Sequence, residues 1–319
     1  MERDWKGAVD ALQGANRVAV ACHVNPDGDA LGSLFASAIA LKRLGKEVWP
    51  SWGTPGAEVP SGYRFLPGND LFVAPEEVPD CDVFLALDCG GSDRLGGLEE
   101  KASKAPVLIN IDHHPGNSDF GTYNIVATQA SSTAELVGRL LLDLGIEIDV
   151  AIATCLYTGI VTDTGRFSYS NSSPDTLRMA ADLLTSGVDA PAIALEVFES
   201  APFGYLKLVG RVLDRAVLHG AERFVYSWLT QQDLIETGVT MPDTEKVIDL
   251  VRGTRDADVA ALYKQQEDGA WRVSLRSKGP VSVGSLARER GGGGHELAAG
   301  FTAAELESSV EDLLHALRS

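Results

Sequence analysis

The sequence predicts an α/β protein built from a parallel sheet with helices on both faces, followed by a smaller α/β domain and joined to it by a helical linker. Three observations carry this reading. Short uncharged apolar runs alternate with amphipathic helical stretches through the first half. The pattern then turns continuously helical between Pro174 and Leu218, and strand-like runs resume after Gly220. At 319 residues the chain exceeds one ordinary domain of roughly 100–200 residues. The expected division is 1–187 for the first domain, 188–218 for the linker and 219–319 for the second domain.

Arg17 to Cys22 reads as a buried strand, and Ala30 to Leu44 as a helix with Leu31, Leu34, Phe35, Ala38 and Leu41 on one face, ended by Gly45. Further strands are expected at Lys46–Trp49, Asp82–Leu87 and Pro106–Ile111, each a short apolar run suited to a sheet covered on both sides. Ser132 followed by Glu135 predicts a capping box for a helix that stops at Gly145, and Ala151 to Thr162 predicts a buried helix. In the second domain the expected strands are Arg223–Leu229, Val259–Gln265 and Trp271–Ser277.

Composition narrows the function classes. The net charge of -18 and pI near 4.7 have the wrong sign for a protein that tracks long nucleic acid by neutralising many phosphates. An anionic substrate would have to be caught by local cations, which favours short substrates. No stretch reaches the eighteen or so apolar residues of a membrane span, and Met1 to Arg17 lacks the apolar segment of a secretion signal. Cys22, Cys81, Cys89 and Cys155 form no CxxC pair, as expected of reduced thiols in the cytoplasm.

The chemistry is concentrated where strands end. After the first strand, His23-Val24-Asn25-Pro26-Asp27-Gly28-Asp29 puts one imidazole and two carboxylates into a strand-to-helix turn. Asp27-Gly28 is also a common turn dipeptide, and Asp29 is also suited to cap the helix. The third strand ends at Asp88, the fourth at Asp112-His113-His114, and the Ala151 helix at Asp163, with Arg166 just beyond. In parallel sheets such ends are where ligands bind. His23, Asp27, Asp29, Asp88, His113 and Asp163 are more ligands than one ion needs. Oxygen-rich ligation with some imidazole favours manganese, with magnesium as the alternative, over a thiolate-bound structural zinc. Four carboxylates roughly neutralise two divalent cations, and such a pair activates water for attack on phosphorus. In the second domain Gly291-Gly292-Gly293-Gly294-His295 offers backbone N–H groups for close approach of a phosphate, or simply a flexible loop.

These residues resemble the DHH phosphoesterase superfamily, named for the tripeptide seen here as Asp112-His113-His114, and all four motifs of its first domain occur in order. Gly291 to Gly300 resembles the GGGHxxAAG signature of its DHHA1 domain, with one extra glycine upstream and Leu297 at a variable position. Length and domain order look most like its NrnA-type group, which cleaves very short RNA and dephosphorylates 3′-phosphoadenosine-5′-phosphate. The resemblance implies one manganese on His23, Asp27 and Asp88 and another on Asp29, Asp88, His113 and Asp163. Asp112 would orient the loop, while His114 and Arg166 act near the scissile phosphate. Arg276, Ser277, Gly292, Gly293, Gly294 and His295 would bind substrate. It implies short oligoribonucleotides and small nucleotides as partners, no long nucleic acid and no membrane, and it allows a homodimer. A cyclic- or linear-dinucleotide phosphodiesterase, a manganese pyrophosphatase and a non-catalytic nucleotide sensor are the competing functions. The glycine run speaks against the pyrophosphatase, and the full ligand set against the sensor.

Overall fold

The computed structural model describes residues 2–318. It divides into two compact units between Ser200 and Ala201.

The first unit runs α1 (Glu2–Gly14), β1 (Arg17–Cys22), α2 (Gly28–Arg43), β2 (Glu47–Trp52), β3 (Val83–Leu87), α3 (Glu99–Lys104), β4 (Val107–Asp112), β5 (Tyr123–Val126), α4 (Thr133–Asp143), α5 (Val150–Asp163), α6 (Pro174–Thr185) and α7 (Ala190–Phe198). Its five strands are all parallel, in the order β2-β1-β3-β4-β5. The apolar runs are continuous because both sheet faces are buried. Val18, Val20 and Cys22 face a core with Leu31, Leu34, Leu140 and Leu156 from α2, α4 and α5. Ala19 and Ala21 face a thinner one with Val78, Leu95, Leu98 and Ala102. From β1 the chain passes to β2 on one side and then to β3 on the other, so a topological switch point lies at the carboxyl ends of β1 and β3.

Three local features differ from expectation. Strand β2 continues through Pro50 to Trp52, because it is an edge strand paired to β1 alone and an edge tolerates a missing N–H. The four-residue edge strand β5 gives too short a pattern to read. The cap at Ser132 is half of the expected box: its hydroxyl accepts from Glu135 N at 3.2 Å. The Glu135 carboxylate turns instead to Ser131 N (3.1 Å), Ser131 Oγ (2.8 Å) and Thr176 Oγ1 (2.9 Å).

The second unit runs α8 (Phe203–Asp214), β6 (Val217–His219), β7 (Phe224–Leu229), α9 (Gln231–Thr237), α10 (Val247–Arg252), β8 (Val259–Gln265), β9 (Trp271–Ser277), α11 (Val283–Arg288), β10 (Gly293–Gly294), β11 (Ala298–Ala303) and α12 (Leu306–Arg318). Its six-stranded sheet is mixed, in the order β10-β11-β9-β8-β7-β6, with β7 and β8 parallel. Tyr263, Val273 and Leu275 pack with Leu286 and Leu313 on one face. Ala260 and Leu262 pack with Leu208, Val212 and Val247 on the other. Segment 188–218 is divided between the units: Ile193 and Val197 of α7 join the first core, Leu208 and Val212 of α8 join the second, and Val217–His219 is a strand. No helix among the described residues is long and apolar enough to cross a membrane.

Candidate metal centre

The site grows from the carboxyl ends of β1, β3 and β4 and the end of α5. His23 follows β1, and its Nδ1 lies 2.9 Å from the Val24 carbonyl. That contact fixes the ring so that Nε2 stands 3.4 Å from Asp88 Oδ2 and 3.9 Å from Asp27 Oδ1. Asp27 caps α2, its Oδ1 accepting from Asp29 N and Ala30 N, both at 3.1 Å. The capping role open to Asp29 therefore belongs to Asp27. Asp29 sits in the first turn of α2 and reaches the start of α4, accepting from Thr133 N at 2.6 Å and Ala134 N at 2.8 Å. The positive end of a second helix thus faces this buried carboxylate.

Asp88 is the first residue after β3 and takes a left-handed φ of +59°, rare for a residue with a Cβ and a form of strain that clusters at functional sites. The turn splits its oxygens between two directions. Oδ2 faces His23, while Oδ1 lies 3.7 Å from His113 Nε2 and accepts from Thr133 Oγ1 at 2.8 Å. His113 Nε2 is also 3.6 Å from Asp163 Oδ2 and 3.9 Å from Asp29 Oδ2. Two donor sets result, His23–Asp27–Asp88 and Asp29–His113–Asp163, each able to hold an ion, with Asp88 touching both. A third grouping, Asp88–His113–His114, overlaps them.

Asp112 lies outside these sets. It is fully buried, and its Oδ1 is 2.7 Å from His114 Nδ1 while Oδ2 accepts from Asn117 Nδ2 at 2.6 Å. Asn117 also donates to the Cys89 carbonyl, which ties the β4 loop to the β3 loop. Arg166 is exposed, with its guanidinium 5.0 Å from the centre of the Phe198 ring.

Charge is uncompensated here. Burial, followed by repulsion from neighbouring carboxylates, pushes Asp29 and Asp163 well above the usual carboxylate range. Burial works against ionised Asp88 too, but the His23 hydrogen bond and the facing imidazoles hold it below that range. Burial lowers His113. His114 is also desolvated, yet its bond to Asp112 and the nearby Asp88 charge raise it to about 9. Carboxylates forced together in this way, with imidazole nitrogens between them and without thiolate, fit divalent cations of the oxygen- and nitrogen-binding kind.

Close helix packing brings these groups together. A Cβ on Gly32 would stand 2.4 Å from the Cys155 carbonyl oxygen, and one on Gly159 would stand 2.5 Å from Ala134 Cβ and 2.9 Å from Asp29 Oδ1. The sequence reading missed Thr133, whose N–H and hydroxyl hold Asp29 and Asp88, because N-capping by its neighbour Ser132 already accounted for the Ser131-Ser132-Thr133 run. It also missed Asn117 and both glycines.

The expected substrate residues of the second unit are adjacent but largely engaged. Arg276 pairs in register with Ala298, and its Nε lies 3.5 Å from Asp249 Oδ1. Ser277 is buried, and its hydroxyl accepts from Gly279 N at 3.1 Å. The expected N–H cradle is narrower than the glycine run: Gly292 N donates to the Ala287 carbonyl at 2.9 Å, and Gly293–Gly294 forms the short strand β10. A Cβ on Gly292 would meet the Gly300 carbonyl oxygen at 2.1 Å, so this glycine is needed for packing. Gly293 is exposed, and His295 is half-buried beside the run.

Residues 17–160 match the model of the DHH family N-terminal domain and residues 222–319 that of the DHHA1 domain. The chain belongs to the DHH family and is a hydrolase of phosphate esters. Within that family it is 36% identical to the bifunctional oligoribonuclease and PAP phosphatase NrnA of Thermus thermophilus, over 94% of this chain and 88% of the relative. It is 29% identical to the Bacillus subtilis protein of the same name, over 87% and 86%. A solved exopolyphosphatase-related protein from Bacteroides fragilis superposes with a TM-score of 0.92 at 26% identity, covering 100% of this chain and 96% of that one. A manganese-bound exonuclease RecJ shares the fold, with a TM-score of 0.54 at 16% identity, covering 99% and 92%.

Proposed function

We propose that this chain is a two-metal phosphoesterase that hydrolyses very short oligoribonucleotides to nucleoside monophosphates and removes the 3′-phosphate of 3′-phosphoadenosine-5′-phosphate. The observation that carries the two-metal reading is Asp88, whose two oxygens face the two different donor sets. The substrate class rests on the names of the Thermus and Bacillus relatives, which match nearly the full chain.

In this reading His23, Asp27 and Asp88 hold one divalent ion and Asp29, Asp88, His113 and Asp163 the other. Manganese is the first choice and magnesium the second. Such a pair neutralises phosphate charge and lowers the pKa of water for in-line attack. The chain's own residues do the rest. Asp112 and Asn117 hold His114 in one orientation, and the Nδ1 contact with the Asp112 carboxyl favours the protonated imidazole, so His114 is placed to donate to the departing oxygen. A hollow of about 580 Å³ lined by His114, Asn117, Asp119, Asn124 and Asp4 adjoins this group, ample for part of a nucleotide. Arg166 is the nearest cation in sequence to Asp163, and its exposed side chain serves phosphate charge. In the second unit Arg276, Ser277, Gly292, Gly293, Gly294 and His295 form the substrate surface, with Arg276 gripping a phosphate remote from the scissile bond. The four free cysteines support a cytoplasmic setting.

The test is a substrate panel on chelated protein with manganese or magnesium restored: 3′-phosphoadenosine-5′-phosphate, a dinucleotide, a pentanucleotide, a cyclic dinucleotide and long RNA. The expected result is no turnover without metal, and a kcat/KM for the bisphosphate and the short oligomers well above that for long RNA. Full activity after chelation, or equal cleavage of long RNA, overturns the proposal. Preference for the cyclic dinucleotide would assign the competing phosphodiesterase function.

A further inference from the structure

Beyond the ligands themselves, one side chain holds the second donor set together. After α5 the chain reverses through Gly165, Arg166 and Phe167 with φ values of +55°, +59° and +61°. A left-handed conformation costs a residue with a Cβ roughly 1–2 kcal/mol, so two such residues in a row require compensation. Local bonds contribute: Thr164 Oγ1 accepts from Phe167 N at 3.1 Å, and the Thr164 carbonyl accepts from Ser168 N and Tyr169 N, both at 3.0 Å. The outcome of the reversal is the return of Asn171 onto Asp163.

Asn171 Nδ2 donates to the Ser131 carbonyl at 2.8 Å and to the Asp163 carbonyl at 3.1 Å, and lies 3.4 Å from Asp163 Oδ2. Three acceptors on one side fix which end of the amide is nitrogen. Its Oδ1 is buried with no hydrogen-bond partner among the described residues. A buried orphan acceptor costs roughly 1–3 kcal/mol, so the amide is not held there for its own stability. Ser131 is two residues from Thr133, which carries Asp29 and Asp88. One amide therefore joins the loop bearing Asp163 to the helix start that orients two other carboxylates of the centre.

We infer that Asn171 is a positioning residue for the Asp29–His113–Asp163 set, holding the Asp163 carboxylate toward His113, and that it tunes the affinity of this set more than that of the other. The inference rests on the two-ion reading above. Hydrogen-bond partners of metal ligands typically change metal affinity by about 10–100-fold. Calorimetric titration of chelated full-length protein with manganese tests it, in parallel with thermal unfolding and the manganese dependence of kcat. Wild type should take up two ions. Asn171→Ala should keep one affinity and weaken the other about 10–100-fold, with kcat recovering as manganese is raised and the KM for substrate unchanged. Asn171→Ser, which retains a short donor, should weaken it less, and it serves if the alanine variant fails to fold. Unchanged affinities in Asn171→Ala, or equal loss of both with a lowered Tm, overturn the inference. Asp163→Ala separates the two ideas. If it still binds two ions with wild-type affinity, the ligand assignment has failed and the inference with it. If it loses one ion while Asn171→Ala does not, the inference alone fails.

Discussion

The two units use polar groups in opposite ways. In the first, charged side chains, most of them buried, converge on one point from three strand ends and a helix end, and several are oriented by a further partner: His23 by Val24, Asp29 and Asp88 by Thr133, His114 by Asp112, Asp112 by Asn117. In the second, the residues expected to meet substrate already answer to internal partners, Arg276 to Asp249, Ser277 to Gly279 and Gly292 to Ala287. A centre that is oriented twice over has few tolerable substitutions. A surface whose groups exchange partners should be tunable, so its changes should alter substrate handling without abolishing chemistry.

The sharpest way to break this contrast is a series within the first unit. Asp88→Ala removes the carboxylate common to both donor sets, and kcat should fall on the order of 10³-fold or more with both ions bound more weakly. His113→Ala should weaken one ion. His114→Ala should leave metal binding intact and lower kcat about 10²–10⁴-fold, as for a proton donor whose Nδ1 is engaged by Asp112. Calorimetry with manganese beside steady-state kinetics checks all three. Near-normal turnover in Asp88→Ala, or equal metal loss in the two histidine variants, would contradict the division of roles.

Much of this centre was legible in the sequence for a physical reason. A parallel sheet delivers its strand ends to one edge, so His23, Asp88 and Asp112-His113-His114 had to be neighbours once β1, β3 and β4 were recognised as strands. What stayed illegible depends on how helices approach. Thr133 looks like the first residue behind a cap, and only the proximity of α4 to α2 turns its N–H toward Asp29. Gly159 looks like a weak point in a helix until Ala134 is seen against it. Asn171 lies in an irregular loop whose left-handed run carries no pattern. In the second unit, β6 and β10 span three residues and two, below any readable period, and the glycine run hid its packing role because glycine has no side chain to declare one.

A smaller effect is expected from Arg276→Ala. Its loss should leave both ions bound and lower kcat/KM for 3′-phosphoadenosine-5′-phosphate and dinucleotides by about 10–100-fold, the range for a charged hydrogen-bonded contact of roughly 1.5–3 kcal/mol. Hydrolysis of a small activated phosphodiester should change little, because that substrate has no remote phosphate. Equal losses on both substrates would place Arg276 with the chemistry and dissolve the contrast between the units.

The smallest expected effect concerns stability, and it tests whether the second unit's carboxylates serve folding where the first unit's serve chemistry. Asp233 accepts from Thr230 N and Thr230 Oγ1, both at 2.9 Å, in a reciprocal cap of α9, and from Arg215 Nη2 at 2.9 Å. Burial opposes its charge, but Arg215 and the Thr230 bonds outweigh that and hold its carboxyl well below the usual range. A depressed carboxyl stabilises the folded state above the unfolded pKa of about 4, and this contribution is lost as pH falls through the lower folded value. Asp233→Asn should therefore cost about 1–2 kcal/mol at neutral pH, after allowance for solvent around the arginines. The gap between variant and wild type should close as acid protonates the wild-type carboxyl, while manganese binding at neutral pH stays unchanged. Unfolding curves that stay parallel down to strongly acidic pH would show that this carboxylate contributes little through its charge, and altered manganese binding would show that the two units are not separable in the way their polar groups suggest.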